Sequence, residues 1–231
     1  MIIGSGLLAR AFYHHFVFDG HVCVHAAGIS NSACNDLDEF NRDEKRLKHS
    51  LSLYKDSDLF VYISTCSVFD TAAITSMYVQ HKIKMESLAS LHSRCLILRL
   101  PQVAGNTLNS HTLLNYLFTK INNREKFQVW KNAQRNIIDV EDVVRISNGL
   151  VRDNELINPY VNVASTFSVS MPELVKIMEK ILEKEGICEY LDCGHSYSID
   201  TAVIQPIAEK CGIKFDQNYT ERIIRKYYER Y

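Results

Sequence analysis

A tyrosine and a lysine stand four residues apart at Tyr78 and Lys82, in the stretch YVQHK. On a helix four residues make about one turn, so both side chains leave the same face. An ammonium beside a phenol favours phenolate, which predicts a Tyr78 pKa lowered from about 10 towards the working range. A tyrosine so tuned can pass a proton to or from an oxygen while hydride moves to or from the carbon that bears it. The spacing is common, and in a chain with twelve tyrosines it also describes a solvated helix face. Thr65 lies thirteen positions earlier, within Ser64-Thr65-Cys66-Ser67. That segment ends an apolar run, the place where open α/β sheets present groups to a ligand. Its hydroxyls either hold the oxygen being transformed or satisfy turn amides.

A second constellation opens the chain. Gly4-x-Gly6-x-x-Ala9 follows a short apolar stretch at residues 1–3 and runs, through Leu7 and Leu8, into a helical stretch that reaches Phe16. The first glycine permits a tight turn, and the second lets a pyrophosphate approach the backbone. The small third residue lets helix and strand pack closely, and the helix N-terminus faces the anion. Taken alone, the pattern is also that of a glycine turn joining a strand to a helix.

These residues need a scaffold, and the remaining sequence describes one. Strands are expected at residues 21–27, 59–64, 95–100, 127–130 and 160–163, after a turn at Asp19-Gly20. Helices are expected at 35–54, 77–92, 113–121, 140–150, 171–185, 201–211 and 219–228. Asp139 introduces one of them. Ser170, Pro172 and Glu173 form a capping-box start for another, which should stop at Gly186. Short apolar strands alternating with amphipathic helices predict an α/β fold, a mostly parallel, doubly wound sheet with helices on both faces. No repeat or low-complexity linker divides the 231 residues, so a single Rossmann-like domain is expected over 1–231. Residues from about 101 onward would contribute a small substrate-binding portion interleaved with elements that rejoin the core.

Composition narrows the function classes. Hydrophobic residues make up 46% and charged residues 23%, with a formal net charge of -1, which argues against a broad nucleic-acid footprint. No apolar run approaches the roughly 20 residues of a membrane span. The N-terminus lacks the build of a signal peptide. The seven cysteines have no CxxC pair and the nine histidines no ligand spacing, so no metal site is expected. Scattered thiols of this kind read as free cysteines in a reducing, cytoplasmic setting.

The motif order now supports a resemblance. The glycine loop, Ala26-Ala27-Gly28, STCSVF at 64–69, YVQHK at 78–82, LRLPQVAG at 98–105 and RNIIDVEDV at 135–143 resemble the extended short-chain dehydrogenase/reductases. More narrowly, they are similar to the NAD-dependent epimerase/dehydratase branch that modifies nucleotide sugars. The resemblance runs from residue 1 to about 183. It implies that Thr65 polarises the substrate, that Tyr78 is the acid/base, and that Lys82 is its partner and a ligand of the nicotinamide ribose. It places NAD or NADP on Gly4, Gly6, Leu7, Leu8, Ala9, Ala26, Ala27 and Gly28. The nucleotide-sugar substrate would meet Thr65, Ser67, Gln102 and Arg135; a guanidinium fork suits a pyrophosphate on its own chemistry. A homodimer and a role in surface-polysaccharide synthesis are further implications. Asp142 reads as a structural carboxylate of its helix.

Three departures from the family accompany the resemblance. Relatives carry a strand, a helix and a strand between the glycine helix and the HAAG strand, where this chain has only about four residues. The acidic residue that would hold the adenosine ribose is therefore not locatable, and NAD versus NADP stays open. The Thr65-to-Tyr78 interval is compressed, and the cap over the sugar must be small. The alternative function is a non-catalytic, Rossmann-like nucleotide-binding or regulatory subunit. His14 and His15 read as solvated, His25 as a satisfied core residue and Trp130 as an ordinary core or edge aromatic. The basic C-terminal stretch with Arg222, Arg225, Lys226 and Arg230 reads as a packing helix with a charged outer side.

Overall fold

The expected alternation of strands and helices is present in a computed structural model, which describes residues 1–15, 21–152 and 160–229. In chain order the first half comprises β1 (Ile2–Ile3), α1 (Leu7–His15), β2 (Val22–His25), α2 (Leu37–Leu53), β3 (Leu59–Thr65), α3 (Met77–Ala89) and β4 (Cys95–Leu100). The second half comprises β5 (Gln102–Ala104), α4 (Leu113–Asn122), β6 (Lys126–Trp130), β7 (Gln134–Asp139), α5 (Val140–Arg152), β8 (Tyr160–Asn162), β9 (Ser168–Ser170), α6 (Met171–Leu182), β10 (Ile187–Leu191), α7 (Gln205–Lys210) and α8 (Tyr219–Tyr228). The expected turn at Asp19-Gly20 and the expected helix end at Phe16 lie outside the described residues, as do Arg230 and Tyr231.

Five strands form one parallel sheet in the order β1-β2-β3-β4-β8. Strands of a parallel sheet are buried on both faces, which explains why β2, β3 and β4 read as nearly unbroken apolar runs. On one face Phe12 of α1 packs with Val22, Val24, Val61, Ile63, Leu96 and Leu98, beside α5. On the other, Leu47 of α2 and Met85 and Ala89 of α3 pack with Cys23, Phe60, Tyr62 and Ile97. The steps from β1 to β2 and from β2 to β3 run in the same direction across the sheet. Yet α1 covers one face and α2 the other, so the two units have opposite hands. Since right-handed crossovers are the near-universal choice, one of these units is an exception.

The second half adds two small sheets. In one, β5 pairs in parallel with β7, and β7 pairs antiparallel with β9. In the other, β6 pairs in parallel with β10. One contiguous apolar core runs from the α1 face of the main sheet through Leu117, Ile121, Ile137 and Ile138 to Leu174, Met178 and Ile224. Among the described residues no helix is long and apolar enough to cross a membrane.

Local chemistry explains most element ends. Asp36 caps α2 by accepting from the amides of Asp38 (2.8 Å) and Glu39 (3.3 Å), and Asp139 opens α5 by accepting from Glu141 (2.9 Å). Ser170 caps α6 as expected, but that helix ends at Glu183, in the left-handed region at φ 51°, before the anticipated stop at Gly186. The helix expected over 201–211 shortens to α7 because Pro206 fixes its first turn. α8 is a packing helix: Arg222 pairs with Asp216, Arg225 with Glu221 and Glu229, and Lys226 with Asp139 and Glu141.

Candidate active site

The glycine loop is shaped by a close backbone approach. Gly4 has φ +126°, and a Cβ there would lie 2.6 Å from the Ala26 carbonyl oxygen. Only glycine fits that position. The loop is held by the Ala26 amide donating to the Ile3 carbonyl at 2.8 Å, which brings Ala26-Ala27-Gly28 beside it. Gly6, in contrast, faces open space, with no atom within 4 Å of where its Cβ would stand. The first bond inside α1 runs from the Arg10 amide to the Gly6 carbonyl at 3.0 Å. The amides of Leu7, Leu8 and Ala9 therefore belong to the unsatisfied first turn, at the positive end of the helix dipole.

The reactive side chains meet at the end of β3. Thr65 Oγ1 accepts from the Ser67 amide and donates to Ser67 Oγ, both at 3.1 Å. The Thr65 hydroxyl and the Tyr78 phenol line the same cavity. Ser76 starts α3 by accepting from the Val79 amide at 3.2 Å, and this sets Tyr78 and Lys82 on the inner side of the helix. Both are buried. Lys82 Nζ lies 5.9 Å from the Tyr78 ring centre and 5.6 Å from that of Tyr62. Gly28 makes room for it, since a Cβ there would be 2.7 Å from Nζ.

The electrostatics correct one expectation. Burial pushes the Tyr78 phenol up to about 12, with the Thr65 hydroxyl opposing the shift, so Tyr78 is protonated at neutral pH rather than a poised phenolate. Burial likewise pulls Lys82 below its ordinary value, against the charges of Asp43 and Glu86. Burial dominates both shifts, and what opposes it at Tyr78 is Thr65 rather than the Lys82 ammonium.

A second layer of buried polar groups supports the first. Glu86, one turn after Lys82 on α3, accepts from Ser64 Oγ (2.6 Å), Arg99 Nε (2.9 Å) and Arg99 Nη2 (2.6 Å). The Arg99 guanidinium lies over the rings of Tyr160 (4.7 Å) and Phe69 (5.3 Å). His81 Nε2 and Asp43 Oδ2 are 2.8 Å apart, joining α3 to α2. Burial alone would raise the Asp43 carboxyl, but the hydrogen bond with His81 and the charge of Lys82 hold it below the usual carboxylate value. His25 Nδ1 meets Ser50 Oγ at 3.1 Å, while its Nε2 and the Tyr62 hydroxyl have no hydrogen-bond partner. His25 is thus only half satisfied, and burial lowers its pKa to about 4.

One cavity of about 700 Å³ joins loop and reactive groups. Gly4, Gly6, Leu7, Leu8, Ala26, Ala27, Gly28, Thr65, Ser67, Tyr78, Lys82 and Gln102 all line it. Ala9 does not; it is buried beneath the loop, in keeping with a packing role. Arg135 does not line it either: its guanidinium donates to the Gln134 carbonyl at 2.8 Å. Tyr197 stands within electrostatic reach of both Ser67 and Arg135. Sequence reasoning missed Tyr197, which sits in an irregular segment, along with Glu86, Arg99, Asp43 and His81. Only Glu86 carried a signal, its one-turn spacing from Lys82. Asp142 is structural, accepting from the Tyr219 hydroxyl at 2.8 Å and from Arg145 at 3.1 Å. Trp130 ends β6 as a half-exposed edge aromatic.

No protein-family model matches the chain, and no curated protein matches it by sequence. Solved structures do share its fold. UDP-glucuronic acid 4-epimerase from Bacillus cereus in complex with NAD aligns with TM-score 0.69 at 16% identity, over 90% of this chain and 73% of that one. UDP-N-acetylglucosamine 4-epimerase from Methanobrevibacter ruminantium M1, in complex with UDP-N-acetylmuramic acid, aligns with TM-score 0.68 at 16% identity, over 89% and 74%. RMD from Pseudomonas aeruginosa complexed with NADPH aligns with TM-score 0.64 at 17% identity, over 89% and 80%.

Proposed function

We propose that this chain, which has the Rossmann-type fold of those epimerases, is an NAD(P)-dependent enzyme that reduces or epimerises a nucleotide-diphosphate sugar. The observation that carries the reading is that Thr65, Tyr78 and Lys82 line one cavity with the glycine loop, Lys82 Nζ lying 5.9 Å from the Tyr78 ring centre. The residues present fit a nicotinamide dinucleotide. Gly6 leaves the loop open, the amides at the start of α1 can take a pyrophosphate, and Lys82 stands beside Gly28 within reach of a ribose. The bound cofactor would supply or accept the hydride. Thr65 donates to the sugar oxygen, and Tyr78 gives that oxygen its proton in reduction and recovers it in oxidation. Lys82 steadies the phenolate that Tyr78 becomes. Residues after about 101 would wall the sugar side, with Gln102 and Ser67 at the reacting carbon. Arg135 and Tyr197 would lie along the path of the diphosphate, and a homodimer serving surface-polysaccharide synthesis fits the same reading.

Denaturing the purified protein and identifying any released dinucleotide, followed by titration of NAD⁺, NADH, NADP⁺ and NADPH, tests the cofactor. Retained NAD would indicate an epimerase that recycles it, and exchangeable binding of a reduced form a keto-sugar reductase. A second reading, a non-catalytic binding subunit, is favoured by one observation only: β1 is a two-residue edge strand, so little sheet backs the adenosine end. Absence of binding by all four nucleotides to folded protein would select it.

A further inference from the structure

The wall of the cavity is uneven in charge. Arg10, Arg46 and Lys82 line it, together with Ser30 and Ser32, and among the described residues no aspartate or glutamate does. Lys82 belongs to the reactive end. The two arginines flank the glycine loop from opposite sides, Arg10 from α1 and Arg46 from α2. Each uses one nitrogen to hold backbone: Arg10 Nη1 donates to the Ser5 carbonyl at 3.2 Å, and Arg46 Nη1 to the Ala27 carbonyl at 2.9 Å. Neither forms a salt bridge among the described residues, so each keeps its charge and its remaining N–H donors for a ligand. The nearest carboxylates of α2 are committed elsewhere. Asp43 is buried against His81, and Glu39 accepts from Cys34 Sγ and pairs with Arg42; both line an adjoining cleft that shares Arg46 with the cavity.

A dinucleotide site that takes NAD holds the adenosine ribose diol with a carboxylate, whereas one that takes NADP sets arginine against the added phosphate. Resting on the reading that the glycine loop binds a dinucleotide, we propose that Arg10 and Arg46 make this cavity selective for the 2′-phosphorylated cofactor, NADP(H). The diol of NAD would find two cations there and only neutral acceptors, such as the Ser30 and Ser32 hydroxyls, for its protons. A phosphate monoester, doubly charged or nearly so at neutral pH, would find donors on both sides of the loop. The selectivity is electrostatic and narrows as salt is added.

The test is a set of binding titrations of the whole protein with NADPH, NADH, 2′,5′-ADP and 5′-AMP, followed by calorimetry. The wild type should bind NADPH roughly tenfold to a hundredfold more tightly than NADH, and 2′,5′-ADP more tightly than 5′-AMP, as charge-assisted bonds to one phosphate would give. R10A/R46A should bring the NADPH affinity down towards that of NADH. The single variants Arg10→Gln and Arg46→Lys should each give part of that loss and serve if the double variant does not fold. Equal or tighter binding of NADH by the wild type, or an unchanged ratio in folded variants, would overturn the selectivity while leaving the enzyme reading intact. Failure of both dinucleotides to bind folded wild-type protein would overturn both.

Discussion

The two ends of the cavity are built differently. At the reactive end Thr65, Tyr78 and Lys82 are buried, and behind them stand Glu86 with Ser64 and Arg99, and Asp43 with His81. At the other end β1 is two residues long at the sheet edge, and the cavity-lining cations Arg10 and Arg46 belong to exposed residues. A proton transfer needs its donors fixed before the reaction, which burial and the ion-paired second layer favour. Gripping a distant phosphate needs only charge within reach. On the proposed reading, buried paired groups stand where geometry would decide the outcome, and exposed charge where charge would suffice.

Substitutions can break or sharpen this contrast. Tyr78→Phe should lower turnover by ~10²–10⁴-fold with the fold retained, since the general acid is gone and only a hydroxyl is removed. Steady-state kinetics beside a urea unfolding curve check both halves. Glu86→Ala should destabilise by about 3–5 kcal/mol, because Arg99 is left charged and unpaired against the sheet. His25 makes the same end sensitive to acid. Its pKa falls from 6.5 unfolded to about 4 folded, so between those values the unfolded chain takes up a proton that the folded chain refuses. Stability that is complete above pH 6.5 should be lost as pH falls towards 4, by up to about 3 kcal/mol, and His25→Gln should flatten that part of the curve.

Gly28→Ala should displace Lys82 Nζ and cut turnover by about tenfold, with less than ~1 kcal/mol of stability lost, because the clash is with the end of a flexible side chain. At the opposite end Arg10→Ala should change stability by no more than ~0.5 kcal/mol. A loss there as large as that of Glu86→Ala would erase the distinction between the two ends.

Much of the first hundred residues was legible in sequence, because buried parallel strands are apolar runs and the helices between them begin at Asp36, Ser76 and similar caps. The short strands β5, β7, β9 and β10 were not. β5 and β9 have three residues each, too few for a period, β7 begins with Gln134-Arg135-Asn136, and β10 is the exposed strand of a two-stranded pair. The side chains of the reactive end were readable from spacing and order, and the cavity brings them together. Their ionisation was not, because the lowered Tyr78 value followed from the lysine alone, and burial reverses it. The second layer was hidden for another reason: Asp43 meets His81 across 38 positions, which no local pattern encodes. Arg135 shows the converse, a residue of suitable chemistry whose strand holds it outside the cavity wall.

The most direct test of the enzymatic reading is hydride transfer itself. The purified protein, incubated with a panel of nucleotide-diphosphate 4-keto sugars and stoichiometric NADPH or NADH carrying deuterium at the transferable position, would be analysed by mass spectrometry of the sugar. The account predicts deuterium on the former carbonyl carbon of at least one sugar with wild-type protein, and its near-complete loss with Tyr78→Phe. Bound dinucleotide with no label reaching any sugar, or equal labelling by the phenylalanine variant, would contradict it.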